Sequence, residues 1–383
     1  MTRVAVVCDY PEEGWPSMDY VGEMILAHLE SRQGGEFQLM RVRPPFHHRV
    51  ARWPVIGRAR SARNADRLVN RFWDYPRALR CIDAFDIYHL IDHSYSHLVH
   101  ALPRNRTIVT CHDLDTFRCL FEPEREPRAF WFRAIAGRIL SGLRKAAAVA
   151  CVSEATRDGL RAQGLMPAER LHVVPNGVDP AFTPSADPSA DAEVARLLGP
   201  RASPELLHVG STIPRKRIDV LLAVFADVRR AAPGARLVQA GGAFTADQAR
   251  QATALGVADA LVTLPFLDRA MLAAVYRRAS LVLLPSESEG FGLPVVEALA
   301  SGTPVLASDL PVLREVGGHV ASYAPVGDIP AWTEAVLEIL AEPPPSAAAR
   351  RASGLARARL YSWSDHADRL EEIYRDVLSR PRA

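Results

Sequence analysis

The sequence predicts an α/β protein built as two doubly wound halves, each a parallel sheet with helices on both faces. Three observations carry that prediction. Short apolar runs rich in β-branched residues alternate with stretches of helical apolar spacing, which is the pattern of a parallel sheet flanked by helices. The alternation stops in a stretch rich in Pro, Ser, Ala and Asp and then restarts. A chain of 383 residues, 48% hydrophobic and 23% charged, holds enough apolar surface for about two domain-sized cores.

The first half opens with RVAVVCDY, a short apolar run ending in a polar cluster, as a buried parallel strand does. MDYVGEMILAHLE follows with helical spacing, and DIYHLI, TIVTCHD, AAVACVS and LHVVPNG supply further strands. The stretch from Pro180 to Pro204 reads as a linker with one short helix. In the second half ELLHVGS, ARLVQAG, LVTLPF, SLVLLPS, TPVLAS and ASYAP are the strand segments, with DVLLAVFADVRRA and VVEALAS between them. AEPPPSAAARR breaks the pattern, and YSWSDHADRLEEIYRDVLSR makes an amphipathic final helix. Two such halves place a cleft between them, lined by the carboxyl ends of strands, where open parallel sheets bind ligands.

Five cysteines without CxxC spacing (Cys8, Cys81, Cys111, Cys119, Cys151) argue against a disulfide framework or a zinc site and suit a reducing compartment. No apolar run approaches membrane-helix length, and the first residues turn acidic and aromatic where a signal peptide carries its apolar core. The expected location is cytoplasmic. Net charge is +2, yet eleven arginines lie between Arg41 and Arg80 (41, 43, 49, 52, 58, 60, 63, 67, 71, 77, 80) against Asp66 and Asp74, interleaved with Phe46, Trp53, Phe72, Trp73 and Tyr75. Two readings stand: a site for an anionic bilayer surface, or a solvated face of an Arg-rich protein.

The chemistry concentrates in SESEGFGLPVVEALAS after the LVLLP run. Gly290 and Gly292 form a turn that lets the backbone approach a ligand, and the helix start behind them, with Pro294 in its first turn, favours an anion such as phosphate. Glu297 stands eight residues beyond Glu289, about one turn into the helix, where its carboxylate can accept from vicinal ribose hydroxyls. Taken alone, an acidic first turn also serves as a cap for the helix dipole. Support comes from HVGSTIPRKRID: Arg215 and Lys216 follow Gly210 by five and six residues, just past a strand, within reach of a diphosphate. Lys145 and Lys216 are the only lysines of the chain, so a compact point charge stands at 216 where arginine is otherwise the rule.

HDLDTFR at 112–118, CVSEATRDGL at 151–160, VVPNGVDPAF at 173–182, GSTIPRK at 210–216, EGFGLPVVEA at 289–298 and REVGG at 314–318 occur in an order that resembles the retaining GT-B glycosyltransferases of family 4 (glycosyl transferases group 1). The resemblance implies a GT-B fold: an N-terminal Rossmann-like acceptor-binding domain at 1–183, a C-terminal Rossmann-like nucleotide-sugar-binding domain at 184–360, and a crossover helix at 361–383 packing on the first domain. It implies that Glu289 and Glu297 are the two acids of an E-x7-E signature, one toward the donor sugar and the other on the ribose. Arg215 and Lys216 would neutralise the diphosphate, the backbone of Gly210, Gly290, Phe291, Gly292 and Leu293 would line the donor, and His112 would contact the sugar near its anomeric centre. A base pocket is expected around Leu264, Pro265 and Phe266. The implied reaction is transfer of a hexose-type sugar from a nucleotide diphosphate sugar by front-face attack. No metal is expected, because cationic side chains occupy its electrostatic place, although Asp113 and Asp115 form a carboxylate pair.

The loop after the first strand departs from the family. It reads DYPEEGWPSMDY, with Gly14 alone in place of a Gly-Gly pair, so that contact with the diphosphate falls to Gly14, Trp15 and Ser17, or Trp15 packs the acceptor side. The resemblance leaves a nucleotide-sugar epimerase, or a non-catalytic nucleotide-sugar-binding subunit, as alternatives. The partners it implies are a nucleotide sugar, a glycan or lipid-linked acceptor and, through 41–80, an anionic membrane surface on the inner face of the cytoplasmic membrane, with no nucleic acid.

Overall fold

The computed structural model describes residues 1–30, 35–53, 60–201 and 204–381. Arg58, the side chains of Ser17 and Arg60, and residues 202 and 203 of the proline-rich stretch lie outside the described part.

The chain divides into two compact units, Met1–Asn176 with Trp363–Ala383, and Gly177–Ser362. Each is a six-stranded, wholly parallel sheet. The first unit carries β1 (Thr2–Val7), β2 (Phe37–Val42), β3 (Ile87–Leu90), β4 (Thr107–Cys111), β5 (Ala148–Cys151) and β6 (Leu171–Val173), in the spatial order β2-β1-β3-β4-β5-β6. Alternate residues feed two cores. Val4, Val6, Ile87, Ile108 and Ala148 pack under the helices Pro16–Glu30 and Trp363–Ser379, while Ala5, Val7, Leu90 and Val109 face Tyr75, Tyr95, Leu98, Ile139 and Leu143. β2 escapes a search for apolar runs because FQLMRV is an edge strand, buried only at Phe37 and Val42.

The final helix belongs to the first unit. Tyr374 packs edge-on to Phe37, and its hydroxyl meets His89 Nδ1 at 2.8 Å, while His89 Nε2 meets Thr110 Oγ1 at 2.8 Å. Burial pushes the His89 imidazole down to about 3, so it stays neutral and serves as a buried peg between β3, β4 and the last helix. His366 donates through Nδ1 to Pro175 O at 2.9 Å.

The second unit carries β7 (Glu205–Val209), β8 (Arg236–Ala240), β9 (Leu261–Thr263), β10 (Leu281–Leu284), β11 (Val305–Ser308) and β12 (Ser322–Ala324), in the order β12-β11-β10-β7-β8-β9. Leu206, Leu237, Leu281, Leu283 and Leu306 pack against the helix Ile218–Ala231 and against Trp332 and Val336.

Two sequence expectations change. The stretch 180–204 is part of the second unit rather than a linker: Pro188–Leu198 is a helix that buries Ala190, Val194 and Leu198, and Asp191 bonds Arg277 at 2.6 Å. The unit boundaries accordingly fall after Asn176 and Ser362, where 183 and 360 were expected, and Val178 N–H donates to Tyr361 O beside them. The triple proline at 343–345 starts the helix Pro344–Ala358, because first-turn residues need no N–H partner.

In the helix Phe130–Leu143, Gly142 lies against the 3-10 turn His93–Ala101, where a Cβ would stand 1.9 Å from Ser96 O. Gly142→Ala must move backbone and is expected to cost about 3 kcal/mol or more, read as a fall in the unfolding midpoint. An unchanged midpoint would show that this packing is not as described.

Candidate active site

In the second unit the strand order reverses between β7 and β10, the crevice position for a ligand in an open parallel sheet. The loops leaving these strands carry the expected residues and are stitched together, Glu287 N–H donating to Arg215 O at 2.7 Å. Pro214–Lys216 forms one 3-10 turn, and Arg217 follows at φ 49°, the one non-glycine residue with positive φ among the described residues. That conformation costs about 1 kcal/mol; the Arg217 guanidinium forks onto Asp219, with Nε–Oδ1 3.0 Å and Nη2–Oδ2 2.9 Å.

Lys216 and Glu289 meet at this point. Lys216 Nζ lies 2.5 Å from Glu289 Oε1, and both side chains are nearly buried, at 10% and 7% exposure. Ser286 Oγ donates to the same oxygen at 2.7 Å, and Arg215 Nη1 lies 3.4 Å from Oε2 while donating to Ser288 O at 2.8 Å. Burial alone would raise the Glu289 carboxyl, but the charges of Lys216 and Arg215 and the hydrogen bonds from Lys216 and Ser286 hold it below the ordinary glutamate range. An ammonium has three donors, so Lys216 keeps N–H capacity for an anion while Glu289 holds it in place.

Gly292 caps the helix Leu293–Ala300 at φ 94°, with its missing Cβ facing Leu313 Cδ2, 2.6 Å from the position a Cβ would take. No side chain caps this helix start. Phe291 is turned inward, its ring edge-on to Tyr361 at 5.6 Å. Glu297, on the same helix, is buried and accepts from Tyr276 Oη at 2.7 Å, with Arg269 Nη1 3.9 Å from its other oxygen. Burial raises its carboxyl above the ordinary range, Asp179 adds to this, and Tyr276 and Arg269 oppose it. The two glutamates therefore sit in opposite electrostatic settings.

Two of the expected backbone positions are already engaged. Gly210 N–H donates to Ala240 O at 2.8 Å and its carbonyl accepts from Gln239 Nε2 at 2.8 Å. Gly14, in the first unit, closes the turn Pro11–Glu13 by donating to Pro11 O at 3.0 Å. Sequence reasoning missed Ser286, Tyr276 and Arg269; Ser286 could be found beside Glu289, whereas only folding brings Tyr276, on the helix Arg269–Arg278, to Glu297. At the expected base pocket, Phe266 is 88% exposed.

His112 follows β4 in the first unit and is buried. It donates through Nε2 to Ile91 O at 2.7 Å, which leaves Nδ1 as the acceptor nitrogen, and burial keeps the ring neutral by lowering its pKa.

Residues 25–182 match the family model described as Glycosyltransferase Family 4, and residues 191–354 match Glycosyl transferases group 1. The chain belongs to this glycosyltransferase family. A D-inositol 3-phosphate glycosyltransferase of Segniliparus rotundus is 41% identical over 223 residues, 55% of this chain and 48% of its own length. One of Mycolicibacterium smegmatis is 38% identical over 226 residues, 56% and 49% of the two chains. The chain thus spans about half the length of the curated relatives it matches. Among solved structures, sucrose-phosphate synthase from Thermosynechococcus elongatus superposes over 99% of this chain and 100% of its own with a TM-score of 0.74 at 21% identity. WaaG, a glycosyltransferase involved in lipopolysaccharide biosynthesis, superposes over 99% and 100% with a TM-score of 0.68 at 15% identity. These likenesses give the fold, GT-B with two Rossmann-like domains.

In this family member the buried ion pair sets a stability test. Lys216→Met strands a buried carboxylate and is expected to cost about 3–5 kcal/mol at neutral pH. Because the Glu289 pKa is depressed, the pair's contribution is present above the ordinary glutamate pKa, about 4.3, and is lost as pH falls through the lower folded value. The gap between wild type and variant in denaturant titrations should therefore close on acidification; a gap independent of pH would remove the pair as its cause.

Proposed function

We propose that the chain transfers a hexose-type sugar from a nucleotide diphosphate sugar to an acceptor hydroxyl with retention of configuration. The observation that carries this reading is the buried Lys216–Glu289 pair at the β7/β10 reversal, beside a helix start without a side-chain cap and one turn from buried Glu297. When the bond from the sugar C1 to the phosphate oxygen breaks, the electron pair goes to the diphosphate. Lys216, Arg215 and the helix start stabilise charge where it develops. The acceptor oxygen then bonds to C1 on the face the phosphate leaves, and its proton passes to a departing phosphate oxygen, so no separate protein base is required. Glu289 is the orienting partner of Lys216. Glu297 takes the ribose hydroxyls, and His112 Nδ1 accepts from a sugar hydroxyl. With the diphosphate met by a lysine and an arginine, a metal is dispensable in this scheme.

The acceptor in this reading is a glycan or lipid-linked hydroxyl presented at the cytoplasmic face of a membrane. In the 41–80 segment Asp66 accepts from the N–H groups of Arg49, Val50 and Ala51, pinning the loop onto the helix Arg60–Val69. Arg43 and Arg49 pair with Asp19 and Asp74, whereas Arg41, Arg52, Arg63 and Arg80 are exposed without a carboxylate partner among the described residues. Trp53 and Trp73 stand 61% and 59% exposed, and Arg77 stacks on Trp73 at 3.2 Å. Indole and guanidinium side by side suit a headgroup layer. No helix among the described residues is long and apolar enough to cross a membrane.

The first test is a calorimetric panel of UDP, GDP, ADP and their sugar conjugates with and without magnesium; metal-independent binding of one class supports the reading, and no binding by any overturns it. Lys216→Ala is expected to lower turnover about a hundredfold or more, whereas Glu297→Ala should weaken nucleotide binding, because ribose contacts exist in the ground state as well. Co-sedimentation with vesicles should require anionic lipid and weaken in Trp53→Ser/Trp73→Ser; binding indifferent to lipid charge would sink the membrane assignment.

A further inference from the structure

The first sheet reverses its strand order between β1 and β3, and the loops leaving those strands also carry buried charge. Asp9 follows β1 and Asp92 follows β3; both are buried, at 2% and 5% exposure. As an ionised carboxylate, Asp9 finds no donor for either oxygen. A group in that position is costly unless it carries a proton, and a protonated Asp9 has an acceptor at hand in the Asp92 carboxylate. Asp92 is otherwise well supplied, taking Ser94 N–H at 2.8 Å and lying 3.2 Å from His93 Nδ1. On the far side of the imidazole, His93 Nε2 stands 3.6 Å from Asp113 Oδ1 and 3.5 Å from Thr116 Oγ1. Both ring nitrogens thus face a carboxylate, an arrangement that suits an imidazolium. His112 N–H donates to the same Nδ1 at 3.3 Å, the contact that a neutral His93 accepts, and the two rings are 6.4 Å apart.

We propose that Asp9, Asp92, His93 and Asp113 form a positioning device for His112, in which Asp9 donates a hydrogen bond to Asp92 and His93 donates toward Asp92 and Asp113. The inference rests on the role of His112 in the glycosyl transfer proposed above. A charged His93 gives both Nδ1–H and Nε2–H to carboxylates and holds the start of the 112–116 loop between them. A neutral His93 instead offers Nδ1 as an acceptor to the His112 N–H, in competition with Asp92, so the two protonation states hold His112 differently.

The groups facing this chain are Arg71 and Glu13 beside Asp9, His93, His112 and Asp9 around Asp92, and Asp92, Asp113 and Arg71 around His93. Burial would lower the His93 imidazole, but Asp92 and Asp113 raise it above the ordinary histidine value against Arg71. Burial, then the Asp92 charge, push Asp9 far up. Both shifts have one sign. The protonated arrangement is complete below the ordinary histidine pKa and is lost as pH rises through the raised folded values, so His112 should be released on the alkaline side.

The test follows the twelve histidine rings of the full chain by NMR with 13C-labelled histidine, assigned with His93→Gln and His112→Gln, alongside pH profiles of kcat and KM. His93 should titrate above about 6.5, and the His112 resonances should move with it. In Asp92→Asn the His93 titration should drop, kcat should fall about tenfold with KM changed less than about twofold, and the alkaline limb should move to lower pH. Asp9→Asn keeps an uncharged donor and should be at least about fivefold more active than Asp9→Leu. A His93 that titrates at or below the ordinary value, an alkaline limb unmoved in Asp92→Asn, or Asp9→Asn as impaired as Asp9→Leu would overturn the proposal. A high His93 titration with coupled His112 shifts, in a protein that transfers no sugar at all, would instead overturn the transferase reading and leave the charge chain standing.

Discussion

An ammonium and a carboxylate 2.5 Å apart in a nearly buried turn lose hydration on both sides, and the end of the second sheet is arranged around making good that loss. Ser286 and Arg215 supply further donors to Glu289, and Glu287 N–H ties the two strand-exit loops together so that the partners cannot drift apart. The left-handed Arg217, fastened by its fork to Asp219, ends the turn that aims Lys216 inward. Without the pair, Lys216 would be a long, flexible side chain with no reason to be buried. With it, a cation is fixed beside a helix start, and in the proposed transfer little reorganisation is left for the moment when negative charge grows on the leaving group.

The two units place different chemistry at equivalent topological points. Both sheets reverse strand order, between β7 and β10 in one and between β1 and β3 in the other, and in both the exit loops carry buried ionisable groups. The second unit pairs a carboxylate with a lysine and an arginine, so that cations outnumber the carboxylate there. The first unit sets Asp9, Asp92 and Asp113 against His93 and Arg71. That balance of charge has no surplus cation for a phosphate, and it suits an uncharged hydroxyl better. Two six-stranded parallel sheets are thereby differentiated by a handful of side chains at the strand ends, where backbone N–H and C=O groups no longer pair across the ladder.

Much of this was legible in the sequence, and the limits have physical causes. Strands buried on both faces announce themselves most clearly as apolar runs, and eleven of the twelve strands, the edge strands β6, β9 and β12 among them, coincide with runs read from the sequence. The exception, β2, has exposed side chains at Gln38, Met40 and Arg41, so its apolar signal is diluted. Proline misled twice, at 180–204 and at 343–345, because in both places it opens a helix, where its missing N–H costs nothing. Within the site, Glu289, Lys216 and Arg215 could be found because glycine-rich turns and strand ends frame them. Tyr276 sits in an ordinary-looking helix and Asp9 in a loop with other acids, and neither has a local pattern that signals its partner. Gly14 and Gly210 were expected to lie at the donor, and the N–H of each is engaged within its own unit, on Pro11 O and Ala240 O.

The contrast between Glu289 and Glu297 shows why spacing alone could not assign their roles. Both side chains are 7% exposed and lie eight residues apart around one helix start. Glu289 is bracketed by cations and stays ionised, so its oxygens are committed to holding Lys216. Glu297 has one phenol and a distant arginine, and burial pushes it toward its protonated form. A carboxylate in that condition is short of donors, and vicinal hydroxyls bring two at once. In the proposed function such hydroxyls would offset part of that desolvation, which gives ionised Glu297 a reason to prefer a diol that Glu289 lacks. The proposed division of labour follows from environment, the same side chain being an orienting charge in one setting and, in that proposal, a hydroxyl acceptor in the other.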